Sequence, residues 1–117
     1  MGLVLWIDQN TFSVSLVERV FKKRGLPFYS LTQVNDFAYL IEDLRPSVVV
    51  LDGETFMGHQ QRFMEQYQAT DHLQSLPFIL IGNEIDSTWL KYRLGHIAKP
   101  FDPFEIPERL EKILLTN

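Results

Sequence analysis

The sequence predicts an α/β domain built on a parallel sheet with helices on both faces. Three observations carry that prediction. Residues 3–7, 47–51 and 77–81 are short, almost wholly apolar runs, too short for helices and lacking the alternation of a half-exposed strand, so they read as strands buried on both faces. Segments with apolar residues at helical spacing alternate with them, the mark of βα units. The connections are short, as right-handed crossovers between parallel neighbours require.

The elements follow in order. Residues 3–7 form a strand that stops at Asp8, Gln9 and Asn10. Residues 11–24 read as a helix through Phe12, Leu16, Val17, Val20 and Phe21, with Gly25 as the natural residue to end it. Residues 27–31 are a weaker strand. The helical pattern returns through Val34, Phe37, Ala38, Leu40, Ile41 and Leu44 and is stopped by Pro46. Residues 47–51 are the strongest strand and lead into Asp52. A loop is expected at 53–58, then a polar helix at 59–70, a fourth strand at 77–81 closed by Gly82, and a short helix at 87–94. Gly95 precedes a brief fifth strand, His96 to Ala98. Asp102, Pro103 and Glu105 then open the last helix as cap, first-turn proline and capping-box acid. Its buried face is Ile106, Leu110, Ile113 and Leu114. Phe12, Phe21, Phe37, Phe78 and Phe104 are all expected in the core.

Composition narrows the function classes. A chain of 117 residues that is 45% apolar, with a mean hydropathy of -0.07, is one ordinary globular domain in size, expected over 1–117. There is no cysteine, hence no disulfide framework and no thiol nucleophile. The N-terminus lacks the basic start of a signal peptide, and no apolar run approaches the ~20 residues of a membrane span. A cytoplasmic protein without membrane contact is expected. The net charge of -4 opposes general nucleic-acid binding. Lys22, Lys23 and Arg24 read as cations favoured at a helix C-terminus. His59 and His72 are far apart and show no metal-ligand spacing.

If the apolar runs are neighbouring parallel strands, Asp8, Asp52 and Lys99 meet at one end of the sheet. Open α/β sheets place ligand and reaction sites there, outside the strand C-termini.

With these landmarks in order, Val4 to Asp8, Val48 to Asp52, Leu76 to Ile81 and Lys99-Pro100-Phe101, nearly the whole chain resembles a response-regulator receiver domain of two-component signalling. The resemblance implies a flavodoxin-like (βα)5 sandwich with strand order 2-1-3-4-5. It implies that Asp52 is the phospho-acceptor, a carboxylate nucleophile on phosphorus supplied by a histidine kinase. Lys99 is then the phosphoryl contact, and the bond before Pro100 is cis. Mg²⁺ is expected between the acids of the first turn, Asp52 and the backbone carbonyl at Glu54.

This sequence departs from the family's pattern at five places, one of them the lack of the usual Pro in the stretch Gly53 to Met57 after Asp52. Gln9 stands where a second acid is usual, which predicts a weak or lost Mg²⁺ site held by Asp8 and Asp52, with Glu54 as a substitute acid. Gly82 stands where a Ser or Thr is usual, so no hydroxyl can follow a phosphoryl group. His96 fills the place of the aromatic switch residue. The segment between Gly82 and His96 is shorter than is usual, which predicts a stunted helix there, with Trp89 and Tyr92 on it.

These departures predict an atypical receiver that acts by protein–protein contact with a histidine kinase or another signalling protein, with phosphorylation at Asp52 impaired or altered. The alternative is a conventional Mg²⁺-dependent phospho-acceptor that tolerates Gln9 and Gly82. An enzyme on the same fold is disfavoured, because the turn after the first strand is not glycine-rich and no nucleophile–base pair is evident. The sequence leaves the oligomeric state open.

Overall fold

The computed structural model describes residues 1–33, 37–69, 71–82 and 95–116. Its elements are β1 (Val4–Ile7), α1 (Thr11–Lys23), β2 (Phe28–Leu31), α2 (Phe37–Leu44), β3 (Val48–Asp52), α3 (Gly53–Phe56), α4 (Gln60–Ala69), α5 (Asp71–Gln74), β4 (Phe78–Ile81), β5 (Gly95–Ile97), a 3-10 turn (Pro103–Glu105) and α6 (Ile106–Leu115). The five strands form one sheet in the order β2-β1-β3-β4-β5, all pairs parallel. This is the flavodoxin-like order. The helix expected at 87–94, with Trp89 and Tyr92, lies outside the described residues.

The pleat explains why the strand runs are continuously apolar. Leu5, Ile7, Val49, Leu51, Phe78 and Leu80 point to one face, where Ile41, Phe56, Phe63 and Leu73 from α2 to α5 cover them. Val4, Trp6, Val48, Val50, Ile79 and Ile81 point to the other, under Val14, Val17 and Phe21 of α1 and Ile106 and Leu110 of α6. Each such fully buried side chain contributes roughly 1.5–3 kcal/mol by leaving water. The first face is aromatic: Phe63 meets Phe56 and Phe78 edge-on, at centroid distances of 5.0 and 5.3 Å. On the second, Gly95 opens β5 because a Cβ there would lie 2.7 Å from Ile113 Cγ2.

Four expectations are corrected. Phe12 is 71% exposed, because the buried stripe of α1 runs through Val14, Val17, Val20 and Phe21 and turns Phe12 outward. Phe104 is 65% exposed, since it lies in the 3-10 turn and not on the core face of a helix. The last α-helix starts at Ile106. Asp102 caps the 3-10 turn instead, accepting from Phe104 N–H at 2.9 Å, while Glu105 N–H bonds the Asp102 carbonyl. The stretch after Asp52 begins with a helical turn, α3, and is not a loop throughout.

The ends of α1 show how the chain is directed. Asn10 Oδ1 accepts from Ser13 N–H at 3.1 Å and caps the helix. Gly25, at φ 67°, ends it in the left-handed region. Lys22 and Lys23 occupy the last turn, as the helix dipole favours. Arg24 has a tertiary role: one guanidinium nitrogen pairs with Glu108, and the other donates to the Phe104 carbonyl at 2.7 Å.

Candidate functional site

Strand register carries three charged residues to one end of the sheet. Ile7 pairs with Leu51, so Asp8 follows beside Asp52. Asp52 pairs with Ile81, and Ile81 with Ile97, two residues before Lys99. Both carboxylates are buried, with Asp8 at 0% and Asp52 at 2% exposure. Lys99 Nζ donates to Asp52 Oδ1 at 2.6 Å. The Lys99–Pro100 bond is cis.

Every oxygen of the two buried carboxylates accepts a hydrogen bond. Asp8 Oδ1 accepts from Asn10 N–H at 2.9 Å, and Oδ2 accepts a long bond from the Trp6 indole at 3.4 Å. Asp52 Oδ2 accepts two donors of Thr55, the backbone N–H at 2.9 Å and the hydroxyl at 2.6 Å. Asp52 is thereby the side-chain cap of α3. The Thr55 hydroxyl in turn accepts from Gln9 N–H at 2.8 Å. One buried hydroxyl therefore ties the turn after β1 to the carboxylate at the end of β3.

The remaining expected site residues lie as follows. The Gln9 and Glu54 side chains are exposed. The Glu54 carbonyl accepts from Met57 N–H at 3.2 Å within its helical turn. Among the described residues, no group of three His, Cys, Asp or Glu side chains is placed to hold a metal ion. Mg²⁺ wants six oxygens in near-ideal octahedral geometry. Two carboxylates already bonded to protein donors, a neutral Gln and an outward-turned Glu fit that demand poorly. Gly82 lies beside Asp52, where an added Cβ would stand 3.8 Å from Oδ1. The His96 Nε2 contacts the Gly82 carbonyl, so the two expected switch positions are joined directly.

Solved structures share this fold along almost the whole length of the chain. A response regulator from Desulfuromonas acetoxidans superposes with a TM-score of 0.81 at 10% identity, covering 99% of this chain and 98% of its own. The Vibrio cholerae chemotaxis response regulator CheY4 superposes at 0.77 and 15%, covering 97% and 98%. The fold is that of a CheY-like response-regulator receiver domain. A receiver-modulated diguanylate cyclase from Pelobacter carbinolicus also matches, with a TM-score of 0.74 at 20% identity and coverages of 99% and 94%. Neither a protein-family model nor a curated protein sequence matches the chain.

On this receiver fold the acid pair is electrostatically uneven. Burial pushes the Asp8 carboxyl above the usual aspartate value, and the charge of Asp52 pushes it further, against the opposing pull of Asn10 N–H, Lys99 and Trp6. The folded state thus binds the Asp8 proton more tightly than the unfolded chain does. The ionised form costs stability above the folded-state pKa, and the cost disappears as pH falls through that value. Asp8→Asn keeps an acceptor for Asn10 and removes the charge, while its amide N–H2 faces the Trp6 indole. Its stability relative to wild type should fall as the pH drops from 7 toward 4, because only wild type sheds the charge penalty on protonation. Urea unfolding of both proteins at the two pH values checks this, and a difference that does not change with pH would contradict it.

Two residues of the site were not singled out in the sequence. Thr55 was signalled by its spacing, since a hydroxyl three residues after a strand-end Asp suits a cap. Trp6 reads as one more apolar strand residue. Only the fold shows it fully buried against Phe28 and Phe101, at centroid distances of 6.1 and 6.0 Å, with its N–H turned to Asp8.

Proposed function

We propose that this chain is an atypical receiver domain of two-component signal transduction, working through protein–protein contact, with Asp52 impaired as a phospho-acceptor. The observation that carries this reading is the saturation of Asp52 Oδ2. A carboxylate oxygen has two lone pairs to offer, and both face Thr55 donors. Oδ1 holds Lys99. Attack on phosphorus is thereby left to the second lone pair of Oδ1, on the oxygen that the Lys99 ammonium holds and makes less nucleophilic.

The switch positions support the same reading. A ligand shifts an equilibrium between two states only through contacts that differ between them. Gly82 has no side chain to gain a contact, and its carbonyl already meets His96.

A surface suited to a partner lies alongside. An open groove of about 420 Å³ runs past Asn10, Ser13, Leu16, Lys99, Phe101 and Pro103. A second, about 660 Å³, continues it over Leu16, Val20, Pro103 and Phe104, with Arg19, Lys22 and Lys23 on its rim. Apolar floor and cationic rim suit a histidine kinase or another signalling protein that presents an apolar, acidic helix.

Intact mass after incubation with acetyl phosphate and Mg²⁺ tests the proposal. The wild-type protein should gain little more phosphoryl adduct than Asp52→Ala. A stoichiometric adduct that disappears in Asp52→Ala would establish a conventional phospho-acceptor instead.

A further inference from the structure

The Thr55 hydroxyl bridges the turn after β1 and the Asp52 carboxylate, the gap that a cation shared by the two acidic turns would span. Such a cation would draw the turn after β1 toward Asp52 and compensate the Asp52 carboxylate. Thr55 does both with one oxygen, 2.8 Å from Gln9 N and 2.6 Å from Asp52 Oδ2. Its side chain is nearly buried, at 7% residue exposure, and α3 holds it in place through the cap bond to its own N–H. Part of the poor fit of the surrounding groups to Mg²⁺ then has a specific physical origin in this residue.

We propose that Thr55 is a positioning residue that replaces a divalent cation, holding the two turns together without metal and closing Asp52 Oδ2 to one. The inference rests on the atypical-receiver reading and deepens it. Three consequences follow from the chemistry. Thr55→Ala removes the hydroxyl and leaves the backbone N–H, so a single lone pair of Oδ2 is freed. The same change strips Gln9 N–H of its acceptor and loosens the turn after β1. Thr55→Ser keeps the hydroxyl and should keep the closure.

The test is a Mg²⁺ titration of wild type, Thr55→Ala, Thr55→Ser and the double variant Thr55→Ala/Asp52→Ala, followed by amide shifts at residues 8–10, 52–55 and 99. Thr55→Ala should bind Mg²⁺ about tenfold or more tightly than wild type, as loss of a competing hydrogen bond to a charged group implies. Thr55→Ser should match wild type, and the double variant should lose the gain. Urea midpoints with and without millimolar Mg²⁺ give a second readout, in which Mg²⁺ stabilises Thr55→Ala and leaves wild type unchanged.

Equal affinity in wild type and Thr55→Ala would overturn the proposal, as would a Thr55→Ser variant that behaves like Thr55→Ala. So would a Thr55→Ala protein that is unfolded and that Mg²⁺ does not refold. These outcomes are separate from failure of the underlying reading, which is decided by the phosphoryl adduct on wild-type Asp52.

Discussion

Asp52→Ala is expected to destabilise the domain by about 2–3 kcal/mol at neutral pH, measured by urea unfolding. Three donors lose their acceptor at once: Thr55 N–H, the Thr55 hydroxyl and Lys99 Nζ. Loss of a helix cap alone costs about 0.5–2 kcal/mol. Removing one partner of a buried ion pair costs about 3–5 kcal/mol, but Lys99 is 29% exposed and can turn its ammonium to water. Relief of the repulsion on Asp8 offsets part of the remainder. Lys99→Ala should cost less, about 1 kcal/mol, because Asp52 keeps both Thr55 donors. A pair of acids held apart only by their own charge would instead gain stability when Asp52 is neutralised. An Asp52→Ala protein as stable as wild type would mean that Asp52 is not held as a cap.

Gly82→Thr restores the side chain that receivers usually carry and is expected to cost about 1–3 kcal/mol. Gly82 sits at φ 117°, a conformation that a β-branched residue adopts only under strain. Space is not the obstacle, since the nearest atom to an added Cβ is 3.8 Å away. The cost is therefore carried by the backbone, and Gly82→Ala should show most of it. Thermal and urea unfolding of both variants check the prediction. A Gly82→Thr protein as stable as wild type would show that the turn after β4 relaxes freely.

The strands and the acidic end of the sheet were legible in the sequence for one physical reason. Strands buried on both faces must be apolar throughout, so residues 4–7, 48–51 and 78–81 stand out before any period is considered. Their common end then places Asp8, Asp52 and Lys99 together. Helix phase was less legible. Phe12 fits a stripe with Leu16, but the stripe through Val14, Val17 and Phe21 buries more of α1 and wins. Phe104 depends on whether Pro103 opens an α-helix or a 3-10 turn, a difference of one hydrogen bond. The Thr55 strap and the His96–Gly82 contact were hidden because each joins segments far apart in the chain. Such contacts follow from register and turn geometry, which no local pattern records.

The proposal that a phosphoryl group at Asp52 drives no domain-wide switch is tested most directly by adding beryllofluoride and Mg²⁺ to labelled protein and following its backbone amides. Either no binding is expected, or shifts confined to residues 8–11, 52–56, 82 and 99–101, with α6 at 106–115 unmoved, because Gly82 has no side chain to follow a phosphoryl group and its carbonyl already meets His96. Large shifts spreading through 103–115 would contradict this, showing that a phosphoryl group at Asp52 reaches the rest of the domain by another route.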